Sequence, residues 1–123
     1  MKIVETKKAP GAIGPYSQGV VVGNLLFTSG QIPVNPETGE TPEGIELQAE
    51  QSCKNVQAIV EAAGFDMKNV VKTTCFLADM GDFATFNKVY EKYFISKPAR
   101  SCVAVKDLPK GVLCEIEAIV SEG

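Results

Sequence analysis

The 123-residue sequence has no histidine and no tryptophan. Without histidine, Ser–His and Cys–His nucleophile pairs and the usual histidine-containing metal sites are excluded. Acid–base work near neutral pH then falls to a carboxylate, a tyrosine, a lysine, a thiol or water. No apolar run approaches the ~20 residues that a membrane span needs. The opening MKIVETKKAP lacks the apolar stretch of a secretory signal. There is no Lys/Arg-rich block and no set of aromatics interleaved with basic residues, and the net charge is −3. These features argue against a nucleic-acid groove. A phosphate-binding GxxxxGK[ST], a GxSxG elbow and a metal-ligand cluster are also missing. The glycines at 11 and 14 neither follow a strand nor open a helix, so they make no dinucleotide fingerprint.

What is present is ordinary for a water-soluble globular chain, with 45% hydrophobic and 22% charged residues. Residues 1–123 read as one domain, long enough for a real core. Of the four cysteines, Cys53, Cys75, Cys102 and Cys114, no two have C-x-x-C spacing. Without a secretory signal they read as free thiols of a cytoplasmic protein, the first, second and fourth as small core hydrophobes.

In chain order, Lys2 to Thr6 reads as a short strand. Ala9 to Pro15 holds two Gly and two Pro in seven residues and reads as a loop. Tyr16 to Val22 and Leu25 to Ser29 are strands joined by the tight-turn signal Gly23-Asn24. At Ser29-Gly30-Gln31, glycine permits close approach. Ile32 to Gly44 reads as a surface loop. Glu46 to Ala63 is a helix, with apolar or small residues at Ala49, Cys53, Val56, Val60 and Ala63 and with Gly64 just past its end. Val70 to Ala78 is a strand. Asp82 to Phe94 is a second helix with Phe83, Phe86, Tyr90 and Tyr93 on one stripe, which reads as core, and with Asn87 at its border.

The stretch Lys97 to Val120, KPARSCVAVKDLPKGVLCEIEAIV, reads as strands Ser101 to Val105 and Val112 to Val120 around a Leu108-Pro109-Lys110-Gly111 turn. Alternation puts Cys114, Ile116, Ala118 and Val120 toward a core and Leu113, Glu115, Glu117 and Ile119 on the other face. A simple hairpin with Val105 opposite Val112 would bring Arg100, Cys102, Glu115 and Glu117 onto that second face. This constellation reads either as a cross-strand ion pair on a solvated face or as an anion clamp beside a proton acceptor. The order β-β-β-α-β-α-β-β predicts an α+β fold, with both helices on one face of a mixed six-stranded sheet. The uncovered, half-apolar face is expected to be an oligomerisation surface.

The segments APGAIGPYSQ (Ala9 to Gln18), SGQIP (Ser29 to Pro33), VVKTTCFLADMGDF (Val70 to Phe83), FNKVYEKYF (Phe86 to Phe94), PARSCVAV (Pro98 to Val105), LPKG and EIEAI (Glu115 to Ile119) closely resemble the reactive intermediate deaminase A (RidA, formerly YjgF) family. They occur in the family's order and span essentially the whole chain. The resemblance implies a chorismate-mutase-like homotrimer with an active site in each intersubunit cleft. It also implies cofactor-independent hydrolysis of 2-imino acids or their enamine tautomers, such as 2-iminopropanoate and 2-iminobutanoate, to 2-oxo acids and ammonia. These intermediates would come from pyridoxal-phosphate-dependent dehydratases. Carried over by motif, Arg100 would bind the substrate carboxylate and Glu115 would hold or activate water. Tyr16, Ser29, the backbone of Gly30, Asn87 and the backbone of Cys102 would line the pocket, and Glu117 has no assigned role. The alternative is a regulatory or chaperone-like protein-binding module of the same fold, which would survive loss of Arg100. Nucleic acid, membrane and metal are not expected partners.

Overall fold

The Gly23-Asn24 pair closes the first hairpin, with Gly23 at φ 60°, a left-handed conformation that glycine adopts without a Cβ penalty. A computed structural model describes all of Met1–Gly123. The hairpin joins β2 (Gly19–Val22) to β3 (Leu25–Thr28), and β1 (Lys2–Val4) pairs antiparallel with β2. The second strand begins at Gly19, so Tyr16, Ser17 and Gln18 belong to the loop before it.

The helix α1 (Ile45–Ala62) turns Ala49, Cys53, Val56, Ile59 and Val60 into the core. It also buries three polar residues. Gln48 accepts the Leu113 N–H at 2.8 Å, and Asn55 donates to the carbonyls of Ile32 and Val34 at 3.0 Å each. Ser52 meets the Cys114 thiol at 3.7 Å. The Gln48 and Asn55 bonds satisfy backbone groups of irregular segments that a purely apolar helix would leave unpaired. The segment after Gln31 is therefore only partly a surface loop, with Pro33 and Val34 buried beneath it.

The strand β4 (Val70–Leu77), helix α2 (Phe83–Tyr93) and strand β5 (Ala99–Ala104) form a parallel β-α-β unit. The final strand β6 (Cys114–Ser121) alternates buried and half-buried residues throughout its length. Its buried set is Cys114, Ile116, Ala118 and Val120, as the alternation predicts.

The sheet order is β1-β2-β3-β6-β4-β5. This confirms the mixed six-stranded α+β architecture but corrects the C-terminal hairpin. β5 does not pair with β6: it lies at the sheet edge, parallel to β4, while β6 is inserted antiparallel between β3 and β4. Burial decides between the two arrangements. β6 is apolar on one face and half-apolar on the other, as suits a central strand, whereas β5 is mostly exposed, as suits an edge. The Leu108–Gly111 turn does form, with the Gly111 N–H bonded to Leu108 O at 3.1 Å and Lys110 at φ 58°. It lies on the crossover from β5, past β4, to β6.

Both helices cover one face of the sheet over a 20-residue core. The other face carries Ile3, Val20, Val22, Phe27, Phe76, Val103 and Ile119 among polar neighbours. Of these, Ile3, Val22, Phe27 and Val103 are exposed. No helix is long and apolar enough to cross a membrane.

Candidate active site

Parallel pairing sets the direction of Arg100. It stands level with Thr73, and Cys102 with Cys75, so both point to the helix-covered side. Thr73 is buried there and shares a 2.6 Å hydrogen bond with the Tyr90 hydroxyl. Glu115 stands level with Phe76 and Glu117 with Thr74, so both carboxylates point to the open side. The expected common face for Arg100, Cys102, Glu115 and Glu117 is therefore corrected. It rested on a hairpin register, and the actual partner of each strand is β4.

The helix-side cluster is built on Arg100. Its guanidinium donates to Asn87 Oδ1 at 2.7 Å. It also lies over two aromatic rings, with Cζ 4.9 Å from the Tyr90 centroid and 5.4 Å from that of Phe83. Cation–π contact and one hydrogen bond orient the fork without neutralising it. The sole ion pair in the protomer is the exposed Lys54–Glu50 bridge at 3.8 Å, so Arg100 has no carboxylate partner. Phe83, Asn87 and Tyr90 stand at i, i+4 and i+7 on α2, a single helical face. That spacing is visible in the sequence, where the aromatic stripe reads only as core. The stripe does supply core at Phe86 and Tyr90, but it also presents Phe83 and Tyr90 to the guanidinium.

A cavity of about 450 Å³ opens here, lined by Asn87, Tyr90, Glu91, Phe94, Lys97, Pro98 and Arg100. Lys97, at φ 51°, and Pro98 set the entry into β5. Cys102 is half-buried beside this cluster. Burial raises its thiol pKa, and Arg100 opposes that shift without overcoming it, so the thiol is not an activated nucleophile.

The second cluster lies where the loops before β2 and after β3 meet β6. Ser29 donates its N–H to Gln18 O at 2.8 Å and its hydroxyl to Ser17 O at 2.5 Å. Gln18 is buried. Its side-chain oxygen accepts the Thr6 N–H at 2.7 Å, and its side-chain nitrogen faces the carbonyls of Thr6, Ala9 and Pro10 at 2.8–3.2 Å. One amide thus pins the glycine-rich loop that leads to Tyr16. Tyr16 and Gly30 line one cavity of about 520 Å³ with Ile13, Gln31, Ile32 and Pro109.

Glu115 packs against the bare Cα of Gly30. Burial, and secondarily the neighbouring Glu117, raise its carboxyl pKa above the ordinary value. Arg100, on the far face, takes no part in that shift. No donor within the protomer reaches the Glu115 carboxylate, which is left available to a water or a ligand.

The expected site residues therefore form two groups. Arg100, Asn87 and Cys102 come together on the helix side, and Tyr16, Ser29, Gly30 and Glu115 gather toward the open side. Gln18, Gln31, Phe83 and Tyr90 support them and are not singled out by the motifs.

The Endoribonuclease L-PSP family model matches residues 6–122. The 2-iminobutanoate/2-iminopropanoate deaminase of Escherichia coli (strain K12) is 57% identical over 122 residues, covering 96% of this chain and 95% of that protein. The putative reactive intermediate deaminase TdcF of the same organism is 55% identical over the same shares. A crystal structure of E. coli TdcF with bound serine superposes with a TM-score of 0.97 at 53% identity, covering all of both chains. Matched along nearly its whole length in sequence and in fold, the chain belongs to the Endoribonuclease L-PSP family, the RidA (YjgF) family that its motifs resemble.

Proposed function

We propose that the protein is a hydrolytic deaminase that converts short 2-imino acids, or their enamine tautomers, to 2-oxo acids and ammonia. The observation that carries this reading is the state of Arg100: a half-buried guanidinium, oriented by Asn87 and two rings, with no carboxylate partner of its own. Such a fork fits a substrate carboxylate by two parallel charged hydrogen bonds. The 57% identical relative named as a 2-iminobutanoate/2-iminopropanoate deaminase supplies the substrate class.

The chemistry asks little of the protein. A protonated imine is already electrophilic. Water adds to the C=N carbon, its proton passes to a base, and the resulting carbinolamine collapses to a carbonyl as ammonia leaves. Glu115 is the base: it accepts the water's proton, returns it to the departing nitrogen, and takes the carbinolamine hydroxyl proton as ammonia leaves, releasing it to solvent. Holding the imino acid and one water in register supplies much of the rate.

Arg100 and Glu115 serve one substrate only if they come from different copies. A closed homotrimer that covers the half-apolar open face would place one copy's Glu115, Tyr16 and Gly30 across a cleft from its neighbour's Arg100 and Asn87. Four free thiols fit a protein of the reducing cytoplasm.

The test generates 2-iminobutanoate in situ with a threonine dehydratase and traps it with semicarbazide. The wild-type protein is expected to suppress semicarbazone formation, and Arg100→Ala is not. If neither protein suppresses trapping, although both are folded and assembled, the deaminase reading is overturned in favour of a regulatory module.

A further inference from the structure

Gly30 is a place in the open-side cluster with no room for any side chain. A Cβ added there would overlap Glu115 Oε2, lie 2.8 Å from Glu115 Cδ and 3.1 Å from its Cγ. The Gly30 backbone is outside the left-handed region, so its conformation is open to any residue. What excludes a side chain is the carboxylate itself.

The backbone around Gly30 is also held so that it cannot withdraw. Gln31 and Ile116 exchange both backbone hydrogen bonds, at 2.7 and 3.2 Å, beside the Gly30–Glu115 contact. The buried Gln31 amide donates to the carbonyls of Ser29 and Gly30 at 3.2 and 3.4 Å. Ser29 is fastened in turn to Ser17 and Gln18. A rigid bend therefore offers a groove one methyl deep, and Glu115 fills it.

We infer that Gly30 is a positioning residue whose bare Cα forms the slot that aims the half-buried Glu115 carboxylate at the reacting water. The slot follows from geometry alone, and its effect on turnover rests on the deaminase reading. Gly30 is thus more than a point of backbone approach for substrate. A methyl at this position would swing the carboxylate out of the slot toward solvent. The reacting water would lose its acceptor, while the Arg100 side of the site would keep its grip on the substrate carboxylate.

Gly30→Ala, Glu115→Asp and their double variant test this by two measurements. In Gly30→Ala the carboxylate is displaced; in Gly30→Ala/Glu115→Asp the side chain is one methylene shorter and stops short of the new methyl. The first measurement is the titration of Glu115 by ¹³C NMR of protein carrying labelled glutamate, assigned with Glu115→Gln. The wild-type resonance is expected to titrate above free glutamate, and that of Gly30→Ala to move back toward it. The second is imine hydrolysis. Gly30→Ala is expected to lose about tenfold or more in kcat with KM changed less than about twofold, and the acid limb of its profile shifts to lower pH. The double variant is expected to recover part of that loss relative to the product of the single variants.

An unchanged Glu115 titration in folded Gly30→Ala would overturn the slot. Strictly multiplicative kinetics would do the same, as would a folding failure of Gly30→Ala that Glu115→Asp does not relieve. A wild-type protein with no hydrolysis would refute the deaminase reading instead, and the titration would still decide the role of Gly30.

Discussion

Arg100 and Glu115 lie on opposite faces of the same sheet. Arg100 is level with Thr73 of β4 and Glu115 with Phe76 of β4. Thr73 and Phe76 are an odd number of residues apart, so their side chains leave the strand in opposite directions. A guanidinium and a carboxylate so placed cannot neutralise one another within one protomer. Each is left to act on something outside it, and a symmetric assembly is the simplest way for both to act on one substrate.

Arg100→Lys is expected to lower kcat/KM by about 10- to 100-fold, since a charged hydrogen bond contributes roughly 1.5–3 kcal/mol and the ammonium cannot make the bidentate contact. It also gives up the stacked position over Tyr90 and Phe83. Steady-state kinetics on 2-iminobutanoate checks this, and wild-type saturation would refute the fork.

The raised Glu115 pKa gives a pH dependence of definite sign. Burial and Glu117 disfavour the ionised form, so the carboxyl keeps its proton to a pH above its ordinary 4.5. In the proposed reaction the ionised carboxylate is the base, so kcat is expected to fall as pH drops through that raised value. Stability runs the other way. The folded chain holds a proton that the unfolded chain has released, so this group's destabilising effect is present above the folded pKa and fades as pH falls toward 4.5. Glu115→Gln is therefore expected to retain the fold, lose most turnover and remove the acid limb. A kcat profile that keeps the same acid limb in Glu115→Gln would assign that limb to another group.

The open face should hold the copies together. Phe27 is exposed on it, level with Val20 and Ile119 on the flanking strands. Phe27→Asp is expected to shift the proposed trimer toward monomer in analytical ultracentrifugation and to lose hydrolysis in parallel, with the far-UV circular dichroism of the fold retained. A charge buried in an apolar interface costs several kcal/mol. An unaltered trimer would show that this part of the sheet is not the contact.

Much of this arrangement is legible in local pattern. The Gly23-Asn24 hairpin, both helices and the core face of β6 follow from turn chemistry and from periods of 3.6 and 2. What misleads is the pairing of β5. Two β-prone runs with a good turn between them suggest a hairpin, and nothing local says that β6 will cross β4 to reach β3. That choice depends on which strand has two faces worth burying, a comparison made across the whole sheet. Once the pairing is wrong, the facing of Arg100 is wrong too, although its candidacy as an anion ligand is unaffected. The loop anchors are illegible for a different reason. Gln18, Gln48 and Asn55 are polar residues that are buried because each satisfies two or more backbone groups of other segments, and sequence alone does not display those partners.

The most direct measurement is a mixing experiment with two inactive variants. Arg100→Ala and Glu115→Gln are refolded together at equal ratio, so that their subunits assemble at random. If each site takes Arg100 from one copy and Glu115 from another, about a quarter of the sites receive both intact residues, and about a quarter of the wild-type activity returns. Activity that stays at the level of the separate variants, in mixed trimers verified by mass spectrometry, would contradict a site shared between subunits.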